Sequence, residues 1–358
     1  MRKLRIGILY GGRSVEHAVS VNSARNIFEH IDRQRFEPYV FGIDQEGQWF
    51  YKPMVDKEIS SGVPVKLALS AKQPCLHFGN TEVKLDVVFS LMHGTDGEDG
   101  SIQGLLQAMN IASVGSGVLG SALSMNKIIT KHLLKQAGLP VGKFMSFHKT
   151  ERESINFPSI VEAIGLPFMC KSASLGSSVG ISKVKDEASF HNAVQDSFQY
   201  DDEILLESFI EGREIECAIM GNTPPLASLP GEIIIHEKHE FYTFDAKYVD
   251  PDAVKIDVPA QINNSTSEEI RTLSVKAFQV LRCLDYSRVD LFLSKDGKVY
   301  INEINTIPGF TNSSMFPMMW KERGISFTDL ISKLIDTCME RHKGVDVVSR
   351  SFDSGLKY

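Results

Sequence analysis

The segment "YSRVDLFLSKDGKVYINEIN", residues 286–305, constrains the fold more tightly than any other. Two apolar runs of strand length flank Asp296-Gly297, the strongest short-range signal for a β-hairpin. With those two residues as the loop, Lys295 faces Lys298. Counting outward then pairs Asp290 with Glu303 and Arg288 with Asn305. Alternation puts all four on one face, which Phe292, Val299 and Ile301 continue. Directly opposed residues have Cβ atoms about 5 Å apart, so two bare carboxylates there repel. A hard divalent cation such as Mg²⁺, held by oxygen ligands and substrate phosphates, removes the repulsion. A solvated outer face with scattered charge is the competing reading. The polar residues gather at one end of an apolar face, which favours a ligand site. The turn at Pro308-Gly309 closes the segment.

The rest of the chain supplies the layers such a hairpin needs. "LRIGIL" ends in Gly11-Gly12 and leads into "NSARNIFEHI", a strand, glycine turn and helix. "YVFGID" and "DVVFSLMHG" are further buried strands, and "SIQGLLQAMN" is a helix. The first ~120 residues therefore form a parallel α/β unit. "SALSMNKIITKHLLKQAGLP" is one helical stretch stopped by Gly138 and Pro140. Two short strands then flank a Gly-Ser loop, and "EILLESFIEGREIECAIMGN" is β-patterned. The polar run "HEKHEFYTFDAKYVDPDAVKIDVPA" is a long loop. A helix, the hairpin and a final helix complete the fold, and the tail has no pattern.

A chain of 358 residues is long enough for two or three domains. Its net charge of −7 argues against a nucleic-acid or anionic-membrane partner, although a small anion needs only a local cluster of cations. Five scattered cysteines without CxxC spacing indicate reduced thiols and a cytoplasmic setting. No apolar run approaches the roughly 18 residues of a membrane span, and the start lacks a signal-peptide cleavage pattern.

Three glycine-rich stretches are candidates for ligand binding. "GSGVLG", residues 115–120, matches a dinucleotide fingerprint, but residues 121–150 hold no acid for the ribose, so it is a turn into a helix. In "KSASLGSSVG" a strand ends at Lys171 before a flexible loop, which is either a phosphate cradle or a plain hairpin turn. "HGTDGEDGSIQG", residues 93–104, joins strand to helix. Its acids either face a substrate or cap the helix. His93 stands at the carboxyl end of a strand, the edge where α/β sheets bind ligands.

Seven motifs in order, "GGRSVEHAVSVNSA", "HGTDGEDGSIQG", "GSGVLGSALSMNK", "GSSVGISKV", "DAKY", "SRVDLFL" and "NEINTIPGFTNSS", span residues 11–314. In this the chain closely resembles the D-alanine–D-alanine ligases of the ATP-grasp superfamily. The resemblance implies a three-domain ATP-grasp fold, an N-terminal parallel α/β domain plus two α+β domains clasping ATP. It implies boundaries at 1–120, 121–206 and 207–345, a lid loop at about 236–258 and a tail at 346–358. The implied activity is ATP-dependent joining of two D-alanines through an acylphosphate and a tetrahedral intermediate, for peptidoglycan synthesis. The implied enzyme is a bacterial cytoplasmic homodimer using ATP and two Mg²⁺ ions, for which Mn²⁺ substitutes. D-alanine–D-lactate ligation, or another ATP-grasp carboxylate–amine ligation, is the alternative.

The same resemblance implies roles for particular residues. Lys127 and Lys171 match phosphate-binding lysines, Glu207, Phe209 and Ile210 the adenine contacts, and Glu214 the ribose ligand. Asp290, Glu303 and Asn305 match the metal ligands, in agreement with the hairpin argument. Arg288 and the Gly309 N–H match the oxyanion donors. Glu16 matches the carboxylate that holds the first alanine's ammonium, with Ser177 and Tyr248 beside it. Ser314 matches the contact to the second alanine's carboxylate and Lys247 lies beside Tyr248 on the lid; with His93, the candidate at the strand end, they make up the expected substrate-binding set. In the family a lid tyrosine goes with dipeptide synthesis, so Tyr248 implies D-alanyl-D-alanine. Ser172 stands where proline is frequent and Phe209 where some members carry tryptophan.

Overall fold

The computed structural model describes residues 2–176, 180–235 and 254–346. Three sheets organise them. The first has eight strands: β1 (Leu4–Gly11), β2 (Phe36–Ile43), β3 (Trp49–Lys52), β4 (Val63–Ala68), β5 (Cys75–Phe78), β6 (Thr81–Val83), β7 (Val87–Ser90) and β8 (Ala112–Val114), in the order β6-β5-β4-β3-β2-β1-β7-β8. The quartet β2-β1-β7-β8 is parallel, as expected. Strands β3 to β6 add an antiparallel extension to the expected parallel unit. The segments joining them are too short for the helical crossovers that parallel neighbours require. Helices α1 (His17–His30) and α2 (Ser101–Ala108) follow β1 and β7.

The helical stretch expected from Ser121 to the stop at Gly138 and Pro140 is two helices, α3 (Val118–Met125) and α4 (Lys127–Gln136). Asn126 divides them. Its backbone is extended, at φ −83° and ψ 105°, and its side chain accepts from the Ile129 N–H as an N-cap. Asparagine favours that role over a helix interior. The cap puts Lys127 at the first position of α4 and turns it toward the site.

The second sheet, ordered β11-β10-β12-β9, contains β9 (Phe144–His148), β10 (Phe168–Ser172), β11 (Ile181–Val184) and β12 (Glu203–Ser208). Helices α5 (Phe157–Ile164) and α6 (Glu187–Tyr200) accompany it. The third sheet has β13 (Gly212–Met220), β14 (Leu226–Ala227), β15 (Gly231–Ile235), β16 (Val254–Asp257), β17 (Tyr286–Ser294) and β18 (Val299–Asn305). Its main path is β16-β15-β13-β17-β18, with β14 beside β13. The polar run expected to be all loop thus ends in a strand, because 254–257 pairs with β15.

Helices α7 (Asn264–Val280), α8 (Met315–Glu322) and α9 (Phe327–Asp346) close the chain. One core joins its two ends: Ile6, Phe89, Tyr286, Phe310 and Trp320 share a single apolar cluster. Within it Phe89, Tyr286 and Phe310 meet edge-on. The turn after β18 is therefore packed against the first sheet, which brings His93 and Glu16 to the hairpin.

Candidate active site

Strands β17 and β18 pair Arg288 with Asn305 and Asp290 with Glu303, the register counted from the sequence. Two departures cancel to give it. The Ser294 N–H donates to the Lys298 carbonyl, so Lys295, Asp296 and Gly297 form a three-residue loop. Gly297 has φ 81°, the left-handed conformation such a loop needs. A bulge after Asp290 then restores the count, leaving Asn302 as the extra residue. The bulge changes the faces. Val299 and Ile301 turn into the core with Val289, Leu291 and Leu293, and do not continue the polar face. Tyr300 lies opposite Phe292 instead.

The polar face is an ordered charge array. Arg288 donates through Nε and Nη2 to the two Asp290 oxygens, both at 2.7 Å. Asn305 Nδ2 donates to Asp290 at 2.9 Å. Glu216 on β13 lies opposite Asp290 and pairs with Arg288 at 2.9 Å. Carboxylates 216, 290 and 303 thus occupy one row across three adjacent strands. Glu216 escaped the sequence reading, since the pairing of β13 with β17 has no local signal.

A cavity of about 410 Å³ opens between the second and third sheets. That volume suits a nucleotide-sized ligand. Lys127, Lys171, Glu207, Phe209, Ile210, Glu214, Asp290 and Glu303 all line it. At its base Glu207 is buried between two lysines: Lys131 at 2.6 Å and, in closer contact, Lys171. Burial alone would raise the Glu207 carboxyl, but the lysines outweigh it and hold it down to about 2. Burial alone would lower Lys171, but Glu207 and Glu303 outweigh it and raise its pKa. Asn302 serves both cations, its Oδ1 toward Lys171 at 3.3 Å and its carbonyl toward Lys131 at 3.4 Å. Neither Lys131 nor Asn302 was singled out from sequence. Lys131 falls one helical turn after Lys127, and that spacing is the signal that could have found it. Lys183 sits 3.8 Å over the Phe209 ring.

A second, smaller cavity of about 50 Å³ shares Lys127, Leu175, Gly176 and Glu303 with the first. Glu16, Glu98 and Asn305 line it. Lys127 donates to the Leu175 carbonyl at 2.5 Å and lies 3.7 Å from Glu303, in the wall common to both. Glu16 is buried just before α1. A Cβ on Gly94 would come 2.5 Å from its Oε2, and one on Gly176 2.6 Å, so a side chain at either would displace the Glu16 carboxylate; Gly94, at φ 74°, also holds a left-handed backbone.

His93, Arg288, Gly309 and Ser314 stand behind these walls rather than in them. His93 Nδ1 donates to the Ile307 carbonyl at 2.8 Å, and Nε2 meets Ser23 Oγ at 3.0 Å. Ser23 Oγ also accepts from the Phe310 N–H. His93 thereby anchors both sides of the Pro308-Gly309 turn. Burial opposes its charge, but Glu98, 3.6 Å away, and Glu16 outweigh that and raise its pKa. Glu98 does not cap α2: it accepts from the Gly94 N–H and faces His93. Ser314 precedes α8 and its hydroxyl meets Thr311 rather than capping the helix. Ser177, Lys247 and Tyr248 lie outside the described residues, as do most of the lid and the tail.

Comparisons with known proteins place the chain in a family. Residues 5–116 match the family model "D-ala D-ala ligase N-terminus", and residues 133–336 match "D-ala D-ala ligase C-terminus". The chain is 44% identical over 356 residues to D-alanine–D-alanine ligase A of Salmonella typhimurium, covering 96% of this chain and 97% of that protein. It is 43% identical to the Escherichia coli K12 enzyme of the same name, with the same coverage. The solved D-alanine–D-alanine ligase from Coxiella burnetii superposes with a TM-score of 0.84 at 35% identity, covering 97% of each chain. The VanG D-Ala:D-Ser ligase of Enterococcus faecalis gives 0.85 at 32% identity, covering 94% of this chain and 100% of that one.

Proposed function

The chain belongs to the D-alanine–D-alanine ligase family, and from that premise we infer that it joins two D-alanines at the expense of ATP to supply a peptidoglycan precursor. The carboxylate of one D-alanine attacks the γ-phosphorus, the bond to the β-phosphate oxygen breaks, and D-alanyl phosphate and ADP form. The amine of the second then attacks the acyl carbon, and the tetrahedral intermediate expels phosphate. The single observation that carries this reading is the wall of Lys127 and Glu303 between the two cavities, which suits a phosphoryl group passing from nucleotide to a small acid. In this reading Lys127 and Lys171 oppose phosphate charge, Glu207 and Glu214 hold adenine and ribose, and Phe209 and Ile210 flank the base. Glu16 takes the first alanine's ammonium, with Ser177 and Tyr248 beside it. Arg288 and the Gly309 N–H face the developing oxyanion, where fixed donors have most effect. Ser314 serves the second alanine's side, His93 positions the Pro308-Gly309 turn beside it through Ile307 and Ser23, and Lys247 belongs to the lid. Water must be kept from an acylphosphate, which is the use of a lid.

The donor set suits a hard cation. Asp290 and Glu303 oppose each other across two strands, with Glu216 next in the row, and opposed like charges are unfavourable without a counter-ion. Asp290, Glu303 and Asn305 would hold Mg²⁺ through oxygen alone. When bound, it would neutralise charge on the transferring phosphoryl group. The proposal extends to three units at 1–120, 121–206 and 207–345, to a homodimer and to a cytoplasmic site of action. The five cysteines are free and buried, and among the described residues no helix is long and apolar enough to cross a membrane.

Phosphate release from ATP and Mg²⁺, with D-alanine, L-alanine, D-serine or D-lactate added in turn, tests the reading. Release should follow D-alanine and yield D-alanyl-D-alanine. Preference for D-serine or D-lactate at neutral pH would overturn the assignment.

Lys131 has a separate expected effect. With Lys131 present, Glu207 keeps a cation when Lys171 turns to phosphate. Lys131→Met leaves Lys171 as the only cation against Glu207, so the KM for ATP should rise about tenfold, some 1.4 kcal/mol, with a smaller change in kcat. Lys131→Arg should recover most of it. An unchanged KM for ATP in the Met variant would remove Lys131 from nucleotide binding.

A further inference from the structure

The outer edge of the first sheet carries a cluster that the ligase reading does not use. Cys75 and His77 alternate onto one face of β5, and His77 lies directly opposite Glu82 on β6. The other face of the hairpin, Leu76, Phe78 and Val83, packs into the core. One ligand atom from each of Cys75, His77 and Glu82 lies within 4.8 Å of the others, the only such group among the described residues. Cys75 Sγ and His77 Nε2 are 3.2 Å apart. Tetrahedral zinc, with bonds of about 2.3 Å to sulfur and 2.0–2.1 Å to nitrogen, sets those two ligands about 3.5 Å apart. A small adjustment meets that requirement.

We propose that Cys75, His77 and Glu82 form a binding site for a borderline-soft divalent metal of the zinc class, with water in the fourth position. The ligand types make the selection. A thiolate and an imidazole favour zinc, whereas Mg²⁺ prefers an all-oxygen set. The site stands apart from the ligation machinery, with β4, β3 and β2 between β5 and β1. It clips a sheet edge, because β6 is a three-residue strand with no neighbour on its outer side among the described residues. Lys66, opposite His77, and Lys84, two residues from Glu82, share the face. Their charge weakens the site without blocking it, since thiolate and carboxylate together match a divalent ion. Burial and the Glu82 carboxylate push the Cys75 thiol up. Loading therefore exchanges the thiol proton for the metal and releases it to solvent, so binding weakens as pH falls.

The test titrates metal-stripped full-length protein with Co²⁺ and follows the near-ultraviolet thiolate-to-cobalt absorption. One equivalent should generate the band and one of Zn²⁺ should remove it. Carboxylates 290 and 303 have no sulfur and cannot produce this signal. Cys75→Ser should abolish the band, and His77→Gln should weaken binding at least tenfold. Both variants should keep full D-alanine-dependent turnover with Mg²⁺, which also shows that they fold. Cobalt bound with no thiolate band in the wild type overturns the proposal. So does a band that survives Cys75→Ser. If Cys75→Ser does not fold, a band of unaltered affinity in His77→Gln overturns it alone.

Discussion

Glu303→Gln should lower the rate of D-alanine-dependent phosphate release by about a thousandfold while the protein stays folded. The substitution keeps size and shape and removes one negative charge from the row of carboxylates 216, 290 and 303. Electrostatic stabilisation of a transferring phosphoryl group through a metal and its ligands is worth several kcal/mol. At about 1.4 kcal/mol per tenfold, three orders of magnitude require about 4 kcal/mol. The structural cost is small, because the Glu303–Lys127 pair is long at 3.7 Å and Glu303 is part-exposed. Steady-state kinetics at saturating ATP and D-alanine, together with a thermal melt, decide the matter. A near-normal rate in the Gln variant would mean that Glu303 is not a metal ligand.

The largest expected stability effect lies away from the chemistry. Arg341 on α9 donates to both oxygens of Asp285, at 2.9 and 2.8 Å, and to the Ser113 carbonyl at 2.8 Å. Asp285 is fully buried and also accepts from the Gly115 N–H and Asn222 Nδ2, both at 2.9 Å. This knot joins the end of β8, the start of β17 and the last helix. Burial alone would lower the arginine, but Asp285 outweighs it and raises its pKa. Arg341→Met leaves a buried carboxylate without its cation, which typically costs about 3–5 kcal/mol. Urea denaturation should show a loss of that size. Adding Asp285→Asn should return part of it, since the orphaned charge is then gone. A loss below about 1 kcal/mol in the single variant would show that the pair contributes little.

Much of this protein was legible in its sequence, for reasons that can be located. The turn at Asp296-Gly297 and the period of two along each strand were enough to pair Arg288 with Asn305 and Asp290 with Glu303. Yet the count held only because a longer loop and a bulge at Asn302 cancelled. The break at Asn126 was also written locally, in a residue that caps better than it continues a helix, but the apolar period masked it. Nothing local marks the strands within residues 49–83, whose antiparallel order depends on the edge that β2 offers them.

What the sequence by itself determined is the parallel strands of the first sheet, the main helices, the facing pairs of the β17–β18 hairpin and the family. These rest on steric preferences and periodicities among residues close in the chain. Only the tertiary structure decided that Lys131 shares Glu207 with Lys171, that Glu216 joins the carboxylate row, and that His93 holds the turn at Pro308-Gly309. It likewise decided that Arg341 locks Asp285 and that Cys75, His77 and Glu82 converge. The physical reason is common to all of them. A charge acts over a few ångströms of space, and which groups come that close depends on how sheets and helices pack, not on the spacing of residues along the chain.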